Sequence, residues 1–168
     1  MKLMLEKGAN NYDSIASSAA VGGHIDIVKL MLEKGAKDYN RIASRAAVGG
    51  HIDIVKLMLE KGANKYSSIA SDAAKYGYID IVKLILTKNL SQYNTIAYTN
   101  IAEEAAKGGY IDIVKYMIDH YVHRGDRRYT RIAEEAAKHG HEDIAKYMIS
   151  KGADKSIMSR LQTKKVST

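Results

Sequence analysis

The sequence contains no cysteine, proline, tryptophan or phenylalanine. Without cysteine there is no disulfide framework, thiolate zinc site or cysteine nucleophile, which suits an intracellular chain, cytoplasmic or nuclear. Long apolar runs are missing too. No N-terminal stretch resembles a signal peptide, and none approaches the ~18–20 residues that span a bilayer. What remains is a chain of 168 residues, 46% hydrophobic, with 12 tyrosines. Such a composition fits one folded domain and argues against wholesale disorder. The net charge of +7 is compatible with an acidic partner or loose nucleic-acid binding, but charge alone speaks to solubility and association.

Self-similarity dominates the sequence. Residues 15–36 read IASSAAVGGHIDIVKLMLEKGA and residues 42–63 read IASRAAVGGHIDIVKLMLEKGA, differing only at Ser18 against Arg45. Looser copies start at Ile69, Ile101 and Ile132, giving spacings of 27, 27, 32 and 31 residues. In each copy two short helices are expected. Tyr12, Ile15, Ala16, Ala19 and Ala20 form one apolar stripe of a 3.6-residue helix. The residue after each tyrosine (Asp13, Asn40, Ser67, Thr99, Thr130) is of a type that accepts from the free N–H groups of a first turn. Gly22-Gly23, Gly49-Gly50 and Gly108-Gly109 stop this helix, since glycine tolerates a left-handed cap. The second helix follows as IDIVKLMLEK, with Ile25, Ile27, Val28, Met31 and Leu32 apolar, and closes at Gly35. One such pair cannot bury enough to stand alone, so neighbouring pairs must stack.

The run Ala19 to Ala36, AAVGGHIDIVKLMLEKGA, and its copy at Ala46 to Ala63 resemble the core of the ankyrin repeat. Residues 105–120 and 136–153 match well, and residues 73–89 more loosely. The resemblance implies an all-α, ankyrin-like solenoid of stacked helix-turn-helix repeats with reduced or absent β-hairpin fingers. Two features depart from the family pattern. Its Thr-Pro-Leu-His start is replaced by sequences such as Ser14-Ile15-Ala16-Ser17. The unit is also shorter than the usual ~33 residues, and the residues lost are those of the finger. Short, tyrosine-rich, finger-poor repeats are similar to those of giant DNA viruses, which would place the chain in a host cell. The expected division is a repeat domain at 1–152, comprising a partial repeat 1–8 and repeats 9–35, 36–62, 63–89, 90–120 and 121–152. Residues 153–168 then begin a further helix and end in a polar, basic tail.

Met1 to Asn10 (MKLMLEKGAN) matches Val55 to Asn64 (VKLMLEKGAN), so the chain starts inside a second helix. An uncapped apolar patch is expected there, with self-association through it. Insertions lengthen two spacings, at Leu90 to Ala97 (LSQYNTIA) and Tyr121 to Arg128 (YVHRGDRR). Both are expected as loops where a finger would sit, on a face that often binds partners.

Chemical motifs are scarce. Arg124-Gly125-Asp126 spells an integrin-type tripeptide, but Gly-Asp is ordinary turn chemistry. His120 and His123, and His139 and His141, are closely spaced, yet neither pair has the further ligands of a zinc site. His24, His51 and His141 occupy the position where the ankyrin resemblance implies a structural hydrogen bond. Glu103-Glu104 and Glu134-Glu135 point about 100° apart on a helix and do not converge as catalytic pairs would. No Walker loop, G-x-G-x-x-G, G-x-S-x-G or H-E-x-x-H sequence occurs. The expected protein is non-catalytic, with no metal and no cofactor, and binds a protein partner. No membrane association is expected. Nucleic acid is the weaker alternative, through the basic residues 124–131 and the tail, because no aromatic stacking motif accompanies them. A structural part of a longer repeat scaffold is the other.

Partner-binding candidates are the side chains that vary between copies on the first helices. These are Ser14, Ser17 and Ser18; Arg41, Ser44 and Arg45; Ser68, Ser71 and Asp72; Asn100, Glu103 and Glu104; and Arg131, Glu134 and Glu135. The resemblance implies that many of them line a concave face. Arg124, Arg127 and Arg128 join them from the second insertion.

Overall fold

A computed structural model of the chain describes residues 11–88, 95–122 and 126–159. They form helices α1 (Tyr12–Val21), α2 (Ile25–Glu33), α3 (Tyr39–Gly49), α4 (Ile52–Glu60), α5 (Tyr66–Lys75) and α6 (Ile79–Lys88). These are followed by α7 (Thr95–Gly108), α8 (Ile111–His120), α9 (Asp126–Lys138) and α10 (Glu142–Ser150). No strand occurs among the described residues. The chain divides into two compact units, Met1–Ile69 and Ala70–Thr168.

In the first unit α1 packs on both α2 and α3, and α3 packs on α4, while α2 and α4 touch only lightly. In the second unit α7 packs on α8 and α9, α9 packs on α10, and α8 meets α10 lightly. The cause lies in side-chain size. First helices meet through paired alanines, all buried: Ala19, Ala20, Ala46 and Ala47 in one unit, Ala105, Ala106, Ala136 and Ala137 in the other. Small side chains let backbones approach. Second helices supply the bulk, with Val28, Met31, Val55 and Met58, then Val114, Met117, Ile144 and Met148, buried beneath them. Burying each of these larger side chains stabilises the fold by ~1.5–3 kcal/mol.

The glycine pairs divide their work. Gly23, Gly50 and Gly109 take the left-handed conformation, with φ of 75°, 79° and 82°. Gly49 and Gly108 are needed for space instead. A Cβ at Gly49 would overlap the Val21 carbonyl oxygen, and one at Gly108 the Lys75 carbonyl oxygen. Close packing on the preceding repeat therefore selects the first glycine of the pair, and turn geometry the second.

The helix caps sit two residues earlier than the sequence pattern implied. Asn11 and Asp38, which precede the tyrosines, accept from the backbone N–H groups of Ser14 and Arg41 at 3.2 and 3.1 Å. The tyrosine already belongs to the helix, so the residue after it faces the next repeat. Asp13 Oδ1 accepts from the backbone N–H groups of Lys37 and Asp38 at 2.7 and 2.8 Å. Asn40 Oδ1 does the same for Asn64 and Lys65, at 2.8 and 2.9 Å. Thr130 Oγ1 accepts from Asp154 N–H at 3.1 Å. Short connections replace the finger, and each of these side chains ties one of them to the first helix of the preceding repeat.

The insertions also differ from expectation. They are not loops throughout, because residues 95–97 and 126–128 extend α7 and α9 at their N-terminal ends. Residues 89–94 and 123–125 lie outside the described residues, as do the N-terminal segment 1–10 and the tail 160–168. Ahead of that tail, residues 156–159 form a helical turn with Ile157 buried, and Asp154 Oδ1 accepts from Ser156 N–H at 2.9 Å.

Candidate interaction surface

In the first unit the sequence candidates separate by depth. Ser18, Arg41, Arg45 and Ser68 are exposed, and Ser14 and Ser44 are half-buried. Ser17 is buried and does not belong to the surface; its hydroxyl donates to the Asp13 carbonyl at 2.7 Å. No glutamate stands on α1 or α3, and their one aspartate, Asp13, is committed to the backbone of the next repeat.

The second unit carries Asp72, Ser71, Glu104, Glu134 and Glu135 half-buried and Asn100 exposed. Two of its carboxylates, Glu104 and Glu135, are matched by lysines. Lys107 Nζ donates to Glu104 Oε1, and Lys138 Nζ to Glu135 Oε1 at 2.7 Å. The adjacent Glu103 and Glu104 take separate partners, Arg131 and Lys107, as their angular offset requires. The lysine three residues on, Lys138, holds the Glu135 carboxyl below the usual range, and Glu104 raises Lys107 chiefly through the hydrogen bond. A shift from Ser and Arg to Glu in the sequence therefore does not expose bare acid.

Glu103 is different. It is 7% exposed, and its Oε2 accepts from Arg131 Nη2 at 2.9 Å across adjacent first helices. Burial raises the Glu103 carboxyl above its ordinary value, with Arg131 and Lys107 pulling the other way. Sequence reading named both residues as candidates and missed that they pair with each other. The recurring register could have shown it: Arg131 occupies the position of Arg41 in its own copy, and Glu103 that of Ser17.

Of the second insertion's arginines, Arg127 is exposed and Arg128 half-buried, both on α9. Arg124 and Gly125 of the Arg-Gly-Asp tripeptide fall outside the described residues, and Asp126 begins α9. Histidines act on carbonyls. His51 Nε2 donates to Val21 O at 3.0 Å and His141 Nε2 to Lys107 O at 3.1 Å, each reaching back to the preceding first helix. His120 and His139 donate from Nδ1 to the carbonyls of Tyr116 and Glu135, both at 2.9 Å. Among the described residues no group of three or more His, Asp or Glu converges on a metal site.

Tyrosines accumulate in the second unit beyond what the stripe requires. Tyr98 and Tyr121 stack at 4.9 Å, and Tyr116 meets Tyr121 edge-on at 5.8 Å beneath Lys83. Burial, with the hydrogen bond to Tyr121, pushes the Tyr116 hydroxyl up to about 12.

Paired helices, alanine-lined contacts between first helices and carbonyl-capping histidines define a helical repeat protein. The family model for ankyrin repeats (3 copies) matches residues 1–69 and 70–159. The chain belongs to the ankyrin repeat family, and its fold is an all-α solenoid of helix-turn-helix repeats. Ankyrin repeats are generally protein–protein interaction modules and typically not enzymes. No curated protein matches this sequence. Among the described residues no helix is long and apolar enough to cross a membrane.

Proposed function

We propose that this chain is a non-catalytic binding module that holds a protein partner against the exposed side of its first helices. One observation carries the reading. The buried frame is nearly invariant between copies, while the equivalent first-helix surface positions change from exposed Ser18 and Arg45 to half-buried Glu104 and Glu135. A repeated backbone that presents different side chains at equivalent points can recognise a partner of uneven charge. Arg41 and Arg45 would meet acidic groups in the first unit, and the Glu104 and Glu135 region would meet basic ones. The short, tyrosine-rich repeats resemble those of giant DNA viruses, which makes a host-cell protein the partner this reading favours.

The test uses the intact chain as bait, followed by affinity measurement on the captured protein. Combined Arg45→Glu, Asp72→Arg and Glu104→Arg substitutions should weaken binding at least tenfold, about 1.4 kcal/mol, while leaving the helical circular-dichroism signal unchanged. Undiminished binding by a folded triple variant would overturn the assignment of the face.

A further inference from the structure

At the position of Ser17, Ser44 and Ser71 in earlier copies, the fourth copy places Glu103. The position is buried at Ser17, half-buried at Ser44 and Ser71, and buried again at Glu103, so a carboxylate is held where a small hydroxyl sits at Ser17. Arg131 satisfies Oε2, but Oε1 is buried and has no hydrogen-bond partner among the described residues. A carboxylate has room for several donors, and one buried with an oxygen unmet is a strong acceptor. Neighbouring charges are engaged elsewhere: Lys107 with Glu104, and Glu135 with Lys138. The Arg131 side chain that holds Oε2 is 59% exposed, so the cation engaging Glu103 lies at the surface.

We propose that the first-helix face of the second unit takes an arginine side chain from the protein partner, with Glu103 as its acceptor. This deepens the function proposed above and rests on it. Arginine suits the site better than lysine. Its planar guanidinium presents parallel donors to a carboxylate and is less strongly hydrated than an ammonium, so it loses less on leaving water. The internal Arg131 already shows that a guanidinium can reach this carboxylate, and it would share Glu103 with the incoming group or yield to it.

The test is a carboxyl 13C NMR titration of the full chain with the peptide acetyl-Ser-Arg-Ser-amide. Citrulline and lysine versions serve as comparisons. The arginine peptide should shift the Glu103 carboxyl resonance and lower its titration midpoint. The citrulline peptide should do neither, and the lysine peptide should bind severalfold more weakly. Arg131→Gln clears the approach and should tighten arginine-peptide binding severalfold. An unmoved Glu103 resonance in both the wild type and Arg131→Gln would overturn the proposal. So would equal effects of the arginine peptide and either comparison peptide. Partner capture by the first-helix face is read separately. An unmoved Glu103 with capture still lost in the triple variant would remove the arginine assignment alone; capture indifferent to the first helices would remove both.

Discussion

At equivalent positions of the first helices, the first unit carries Ser18, Arg41 and Arg45, all exposed, and the second carries exposed Arg131 with half-buried Glu104 and Glu135. Beneath them both units show the same buried alanine pairs and the same glycine turn. They differ in how charge is handled. The second unit pairs each of Glu103, Glu104 and Glu135 with a cation, one of these pairs bridging two first helices. The first unit has no glutamate on its first helices and uses its one aspartate there to hold a connection. The frame thus sets the fold, and the exposed positions are free to change chemistry without cost to it.

The largest expected effect tests the shared frame. Gly49→Ala and Gly108→Ala each push a Cβ onto a carbonyl of the preceding first helix. Each should cost about 2–3 kcal/mol in urea unfolding. A large loss in one unit with tolerance in the other would break the equivalence of the two frames.

Next comes Asp13→Ala, which removes the acceptor of two backbone N–H groups and should cost about 1.5–2 kcal/mol. Asp13→Asn should cost far less, because Asn40 already performs this task in the next copy. If Asn at position 13 is as damaging as Ala, the charge rather than the geometry holds the connection.

Arg131→Gln sharpens the contrast in charge. The pair is buried on one side only, so the loss should be about 1 kcal/mol after allowing for the exposed guanidinium. Glu103 also gives the second unit a pH dependence. Burial raises its carboxyl above the ordinary 4.5, so over the window between those two values the folded state holds a proton that the unfolded chain has lost. Its favourable contribution is complete below 4.5 and declines as pH rises through the raised value. Glu103→Gln should therefore gain stability relative to wild type as pH rises through that window and keep a constant advantage above it. A constant difference across the titration would show that Glu103 is not perturbed by burial. The smallest effect belongs to Lys56→Ala in the first unit. Its pair with Asp53 is exposed on both sides and should be worth under about 0.5 kcal/mol.

The frame was legible because apolar spacing, paired alanines and Gly-Gly turns are local signals repeated in register. Cap positions were misplaced by two residues, since Asp13 and Asn40 have cap chemistry but bond to the connection of the following copy. Spacing within one copy cannot reveal a partner 24 residues away. The same limit hid the Glu103–Arg131 bridge, and the burial of Ser17, which looks like any exposed helix serine from its sequence alone. The insertions read as loops because they break the repeat, whereas residues 95–97 and 126–128 continue the helices that follow.

The central claim is that a partner rests on the first helices rather than the second. Its most direct test compares dissociation constants for the captured partner between two folded variants. One carries Arg45→Glu, Asp72→Arg and Glu104→Arg; the other carries Lys56→Glu and Lys146→Glu on the second helices. The first should weaken binding at least tenfold, about 1.4 kcal/mol, and the second should leave it within about twofold. The reverse order, with binding lost on the second-helix variant and kept on the first, would contradict the account.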